Sequence, residues 1–577
     1  MIKDDLKRLV EAAIERATAK GDLPALPAPE VVLDHPARLE QGDFATNVAL
    51  RLQRAAQKPP REVAGAITHH LELPPAVAAV EVAGPGFVNF FLADAWLQEQ
   101  VDAILAAGTE FGRLSFGEGT SVQVEFVSAN PTGPLHVGAA RNAALGDTVC
   151  RLLAATGHMV QREYYINDAG SQVHALGASV LARYRQALGV PAELPQGGYE
   201  GEYVAELAQE IVAEHGRSLL KLPDEEATAR IGPLVEALVL RWIERDLADL
   251  GVRFDRWYSE RSLYERDLFD TAMRMLREGG HIVERDGAVW FTSTELGEDR
   301  DNVVVRSNGQ PTYFASDIAY HYEKLVLRGF DRVIDVWAAD HHGHVPRMKA
   351  VLQALGINPD RLTILLYQLV KLFKDGQELK MSKRAGTYVT VRELIDEVGV
   401  DAARFFLIQR SSDVTMNFDM NLARQASDEN PVFYVQYSHA RTVSIFREAA
   451  VKLGTVDYSG GDVHLLSTES ELGLIRKLLQ FPEVVESATQ SLAAHQLPFY
   501  LLELSTAFSA FYRDCPVLPP RNPDLALTNA RLKLVAATKQ VLASGLDLIG
   551  VSAPERMAER PAVVCGGLLK KWRPSGG

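Results

Sequence analysis

Residues 121–157 read SVQVEFVSANPTGPLHVGAARNAALGDTVCRLLAATG. The stretch opens on a short apolar run, VQVEFV, and passes through a loop carrying Asn, Pro and Gly. It continues as a helix in which Leu145, Val149 and Leu152 share one face. Gly157 supplies a stop, and a second strand pattern, VQREYYI, resumes at Val160. Strand, helix and strand in close succession predict a parallel β-α-β unit.

The same grammar returns as DRVIDVWAAD from Asp331, the helix VPRMKAVLQALG from Val345 and the strand TILLYQLV from Thr363. Two such halves predict one Rossmann-like parallel sheet over 118–390. Between them a helix-rich insertion at about 175–300 ends in the strand-like GAVWFTS. Residues 1–110 read as a small α/β domain, with an amphipathic first helix, a Pro-rich break at 24–29 and a single short strand within Ala83–Leu92. A glycine-rich linker over Gly108–Thr120 closes it. From Val391 the pattern is helical almost throughout, which predicts an α-helical bundle over 391–557. Residues 558–577 lose periodicity, carry Lys570, Lys571 and Arg573, and are expected to form a flexible tail. The fold class is thus multidomain α/β plus α.

A chain of 577 residues with 47% hydrophobic and 23% charged residues has the composition of a soluble globular protein of several domains. No long apolar run and no secretory leader are visible at the start, MIKDDLKRLVEAAIERATAK, so no membrane association and a cytoplasmic location are expected. Three scattered cysteines exclude a disulfide framework and a paired-cysteine zinc site. A formal charge of -15 argues against a surface that binds polyanions indiscriminately. It leaves room for a local basic face with shape-specific contacts to RNA.

Two segments carry chemistry. His136, Val137 and Gly138 open the first helix of the sheet, where backbone N–H groups lack intrahelical partners and offer a positive pole to phosphate. An imidazole there can bond a phosphoryl oxygen, and Gly138 lets a nucleotide approach the backbone. The second segment, DGQELKMSKRAGTYVT, follows the strand TILLYQLV. In it Lys380, Met381, Ser382, Lys383 and Arg384 form a basic, glycine-flanked loop able to close over a triphosphate. Each segment alone is weak, but both fall at the carboxyl ends of strands of one sheet, where open α/β sheets bind ligands. Asp340, His341, His342 and His344 suggest a metal site at first sight. Neighbouring residues point in different directions and no cysteine accompanies them, so no dedicated metal is predicted. His344, opening a helix, is instead a candidate nucleotide contact.

With HVGA at 136–139 and KMSKR at 380–384, the sequence resembles the class I aminoacyl-tRNA synthetases, and within them the bacterial-type arginyl-tRNA synthetases. GDFATNVAL, VEFVSANPTGPLHVG, REYYINDAGSQV, LGVRFDRWYSE, PTYFASDIAYHYEK, AADHHGHVPRMKA, DEVGVDAARFF, NPVFYVQYSHAR and GVSAPERM carry that resemblance from residue 1 to Met557. One departure stands out: the first signature ends in Ala139, where the family usually has histidine.

The resemblance implies ATP-dependent attachment of L-arginine to tRNA(Arg) through an arginyl-adenylate, with Mg2+ accompanying ATP, tRNA bound before the adenylate forms, and a monomer. His136, Lys380 and Lys383 would act on the phosphates, and Gly138, His344, Met381, Ser382 and Arg384 would complete the ATP site. Glu125 and Asn130 match the positions that hold the α-amino group, and Tyr313, Asp317 and Asp340 those around the guanidinium. In the N-terminal domain Asp43, Phe44, Asn47 and Phe87 would touch the outer corner of the tRNA. Tyr434 and Tyr437, at i and i+3, with Arg441 a turn further, suit splayed anticodon bases. A catalytically idle RNA-binding relative is the alternative. Ala139 favours it, and the complete Lys380–Lys383 cluster weighs against it.

Overall fold

The computed structural model describes residues 1–27, 30–379, 388–454, 456–518 and 524–557. Lys380, Met381, Ser382, Lys383, Arg384 and the tail 558–577 lie outside the described residues. The chain forms two compact units. One comprises Met1–Phe111, Ser438–Glu483 and Glu503–Leu542, the other Gly112–Tyr437, Val484–Leu502 and the described residues from Ala543 on. No helix among the described residues is long and apolar enough to cross a membrane.

The second unit is built on a five-stranded sheet: β1 (Ser121–Glu125), β2 (Met159–Ile166), β3 (Arg256–Ser259), β4 (Arg332–Ala338) and β5 (Leu362–Tyr367). All neighbours pair in parallel, in the order β5-β4-β1-β2-β3. Strand order reverses between β1 and β4, and the crevice beyond their carboxyl ends is where such a sheet receives a ligand. Helix α1 (Val137–Ala155) crosses from β1 to β2, and α2 (Tyr313–Tyr322) precedes β4. Because side chains alternate along a strand, each face of β1 has its own partner. Val122, Val124 and Phe126 are buried on the α1 side. There a Cβ built on Gly146 would stand 2.3 Å from the Phe126 ring, so only glycine admits this approach. Gln123 and Glu125 face the other way, toward α2. A buried Val or Phe contributes about 1.5–3 kcal/mol, which is what anchors α1 to the sheet.

Three readings change. Arg256–Ser259, inside the stretch read as a helical insertion, is the edge strand β3 of the main sheet. The stretch within Ala83–Leu92 is not one strand: Val77–Ala83 and Phe87–Leu92 pair antiparallel, because Gly84, Pro85 and Gly86 turn the chain between them. Past Val391 the chain is not wholly helical, since Met416–Asp419 pairs in parallel with Val370–Lys374.

The first unit holds the three-stranded sheet of the amino-terminal segment and the helices Glu469–Leu479 and Leu525–Leu548 as far as Leu542. Arg476 donates to Asp43 Oδ1 at 2.5 Å, Lys533 to Asp102 at 2.8 Å, and Gln98 to the Leu466 carbonyl at 2.9 Å. Contacts over such sequence separations close this unit.

Candidate active site at the carboxyl edge of the sheet

β1 ends at Glu125, and the chain leaves through Val127 and Ser128 with φ of 67° and 39°. Left-handed backbone at a β-branched residue costs about 1–2 kcal/mol and persists only where neighbours enforce it. Here they do. Val127 N–H donates to Asn142 Oδ1 at 2.7 Å, and Asn142 Nδ2 donates to the Val336 carbonyl at 3.0 Å, so one buried amide of α1 joins the exits of β1 and β4. Tyr164 bonds both the N–H and the carbonyl of Ala129, and Ser128 Oγ accepts from Tyr165 N–H at 3.1 Å. Asn130 Nδ2 donates to Gln172 Oε1 at 2.8 Å.

His136 is the N-cap of α1, and its Nδ1 accepts from Gly138 N–H at 3.0 Å. In the neutral ring the proton therefore sits on Nε2, a donor suited to a phosphoryl oxygen. The expectation of unpaired amides at this helix start is corrected. Gly138 N–H serves His136, Val137 N–H donates to the Val389 carbonyl at 3.1 Å, and Ala139 N–H to the His136 carbonyl at 2.8 Å. The partner of Val137 is informative, because Val389 and Thr390 are the last residues of the second segment. Thr390 bridges His136, Val391 N–H donates to the Leu135 carbonyl at 2.8 Å, and the Tyr388 ring meets that of His136 edge-on at 6.4 Å. The carboxyl end of the second segment thus lies against the first.

Glu125 is buried and its Oε2 accepts from Lys324 at 2.5 Å. Burial raises its pKa above the usual carboxylate range, with Lys324 opposing. Asp317 lies one turn after Tyr313 on α2. Burial pushes its carboxyl up to about 7, and Glu125, Glu260 and Asp335 add to the shift while His321 opposes it. Tyr313 is 54% exposed, Asp340 and His341 are exposed, and His344 is half-buried, its pKa lowered mainly by burial. Asp340 and His344 sit in the turn and helix start that follow β4, across the switch point from His136.

Glu260 completes this set and escaped the sequence reading. It is buried, its Oε2 has no hydrogen-bond partner among the described residues, and burial raises its pKa. Ser316 and the hydroxyl of Tyr165 lie beside the carboxyl and temper that rise. Glu125, Asp317 and Glu260 are therefore buried carboxyls, each raised by burial, that a ligand carrying two cationic groups would favour in their ionised form.

Elsewhere the structure separates the candidates. Phe44, expected at an RNA surface, is only 2% exposed: in the three-residue strand Phe44–Thr46 it takes the inward position, against the His35 ring. Asp43 is buried too, its Oδ2 accepting from Leu92 N–H at 2.7 Å while Oδ1 takes Arg476. Asn47 is exposed, and Phe87 is 39% exposed. Tyr434 and Tyr437 are half-buried, and Tyr437 stacks on Phe433 at 6.0 Å. Arg441 lies 4.6 Å from the Tyr512 ring centre.

A five-stranded parallel sheet whose first crossover helix is capped by histidine is the architecture expected of a class I aminoacyl-tRNA synthetase. The model of the catalytic domain of class I tRNA synthetases (R) matches residues 100–446. The arginyl-tRNA synthetase N-terminal domain matches 4–92 and the DALR anticodon-binding domain 435–557. An arginine–tRNA ligase of Dehalococcoides mccartyi is 48% identical over 556 residues, 96% of this chain and 99% of that protein. One of Geobacillus kaustophilus is 46% identical over 558 residues, 96% and 99% of the two chains. The solved arginyl-tRNA synthetase of Thermus thermophilus superposes with a TM-score of 0.74 at 26% identity, covering 96% of this chain and 100% of that one. The chain belongs to the arginyl-tRNA synthetase family.

Proposed function

We propose that this chain attaches L-arginine to tRNA(Arg) in two steps, with MgATP as the energy source. The arginine carboxylate attacks the α-phosphorus of ATP and expels magnesium-bound diphosphate. A ribose hydroxyl of the terminal adenosine of the tRNA then takes the arginyl group and releases AMP. Neither step needs a nucleophilic side chain, so positioning and charge stabilisation carry the chemistry. His136, through Nε2–H, and Lys380 and Lys383 of the second signature bond the phosphates as negative charge develops. Gly138, His344, Met381, Ser382 and Arg384 seat the nucleotide. Glu125 and Asn130 receive the α-ammonium, and Asp317, Glu260, Tyr313 and Asp340 surround the guanidinium.

The observation that supports arginine over other amino acids is the set of buried carboxyls, Glu125, Asp317 and Glu260, beyond the strand that leads to His136. Glu125 meets the α-ammonium of any amino acid, but a neutral side chain would leave Asp317 and Glu260 without the cation that their buried carboxyls favour. Transfer RNA is read by the family's N-terminal domain at 1–110, through Asn47 and Phe87, and by the helical domain at 391–557, through Tyr434, Tyr437 and Arg441. The enzyme works in the cytoplasm as a monomer. Exchange of labelled diphosphate into ATP, measured with each amino acid in turn and with tRNA present, tests the reading. Exchange with arginine alone is expected, and exchange driven by another amino acid, or none at all, overturns it.

A further inference from the structure

The register of the sheet sets Glu163 of β2, Glu125 of β1 and Asp335 of β4 side by side. Partners in a parallel sheet share a face, so three carboxylates form a row across its centre. Cations from the chain continuing α2 answer them. Arg328 pairs with Glu163, which also accepts from the Tyr320 hydroxyl. Lys324 lies between the other two, 2.5 Å from Glu125 Oε2 and 3.0 Å from Asp335 Oδ1, with its ammonium 4.0 Å from the Tyr320 ring centre. An ammonium has three donor hydrogens, two of them committed here and the third side taken by the ring. Lys324 is thus fully engaged within the protein.

The chain of contacts continues. His321 Nε2 lies 2.7 Å from Asp335 Oδ2, and His321 Nδ1 lies 2.8 Å from the carbonyl oxygen of Asp317. Glu125 and the backbone of Asp317 are therefore joined through Lys324, Asp335 and His321. The side chains of Lys324 and Asp335 are 0% exposed and that of His321 is 2%, whereas Glu125 keeps 11%. Glu125 is the member of the row that still meets solvent.

We propose that Lys324, backed by Asp335 and His321, is the positioning residue that supports the charge of Glu125 and aims its carboxylate at the α-ammonium, in fixed relation to the guanidinium end. This deepens the arginine reading and rests on it. Without the Lys324 ammonium, a buried Glu125 has no partner for its charge and takes up a proton. It then offers little to a substrate ammonium, while the guanidinium end is left in place.

The test is calorimetric titration of the full-length chain with L-arginine and with 5-guanidinopentanoate, which keeps the guanidinium and the carboxylate but lacks the α-ammonium. The unaltered chain should prefer arginine by roughly tenfold or more, the worth of a charged hydrogen bond. In Lys324→Met the two ligands should bind within about threefold of each other, because arginine weakens and the analogue does not. Asp335→Asn should move the ratio the same way by less, and carries the comparison if Lys324→Met does not fold. A parallel loss for both ligands, or an unchanged ratio, overturns the positioning role. Failure of the unaltered chain to prefer arginine would instead overturn the arginine reading itself.

Discussion

Arg404 and Lys324 are both buried cations that hold carboxylates in the second unit, yet they solve different problems. Arg404 donates from Nη2 to Asp147 at 2.6 Å, from Nε to the Ile549 carbonyl at 2.9 Å and from Nη1 to the Leu250 carbonyl at 3.1 Å. Asp147 also takes Arg151 at 2.7 Å. Burial works to raise Asp147, but Arg404 and Arg151 outweigh it and hold the carboxyl below its usual range. The backbone closes on this cluster as well: a Cβ on Gly550 would reach 2.3 Å from Arg404 Nη2.

Around Lys324 the balance is left open. Burial would raise Asp335, yet Lys324 and His321 hold it at about 2, while Glu125, Asp317 and Glu260 all remain raised. A structural ion pair saturates its own donors and acceptors. A site for a cationic ligand keeps acceptors in surplus, at a cost in the stability of the ligand-free fold.

That contrast can be broken in four ways. Arg404→Met should lower stability by about 3–5 kcal/mol in urea unfolding, because it removes the buried one of the cations on Asp147 and leaves the Ile549 and Leu250 carbonyls without their donor. It should leave the KM for arginine within about twofold, and a large change in KM would erase the distinction. Glu125→Gln should do the reverse, cutting kcat/KM for arginine about 100-fold while the melting temperature moves by only about a few degrees.

Asp317 gives a subtler signature. Its carboxyl, at 3.8 in the unfolded chain and about 7 here, is protonated in most ligand-free molecules at pH 6. A guanidinium favours the ionised form, so arginine should release about one proton on binding at pH 6 and far less at pH 8. Calorimetry in buffers of different ionisation enthalpy reads this, and Asp317→Asn should abolish it. The same raised value means that the stability this group supports is complete below pH 3.8 and is lost as pH rises through about 7. Ligand-free Asp317→Asn should then unfold at higher denaturant than the unaltered chain at pH 8. The smallest effect is expected of Ala139→His, which should change the activation rate by less than tenfold, about 1.4 kcal/mol. Ala139 is buried, and its backbone already bonds His136.

Much of this was legible in the sequence, for reasons that can be named. The short apolar run VQVEFV and the helical spacing of Leu145, Val149 and Leu152 mark β1 and α1, and with them Glu125 at a strand end and His136 at a helix start. Long-range pairing was hidden. Asp335 reads as a lone acid in an apolar strand until register sets it beside Glu125. His321, Lys324 and Arg328 look like the wet side of a helix in DIAYHYEKLVLR, although His321 and Lys324 are buried and Arg328 bonds two glutamates. Arg256–Ser259 is too short and too polar to announce itself as a strand of the main sheet. Glu260, directly after it, therefore reads as surface. Phe44 is placed at an RNA surface by the resemblance alone, and a three-residue strand offers too little alternation for the sequence to show that it turns inward.

After Tyr322 the helix widens into a π-turn over Glu323–Leu327, where Arg328 N–H bonds the Glu323 carbonyl five residues back, at 2.9 Å. Val326 and Leu327 are exposed there, and a surface position of that kind ordinarily tolerates change. Deleting either one would restore a regular helix and swing Arg328 about 100° around the axis, away from Glu163. At this spot the number of residues matters more than their identity: a homologue could exchange both side chains freely, but a gap of one would take Arg328 away from Glu163 while Lys324, upstream of it, keeps its two carboxylates.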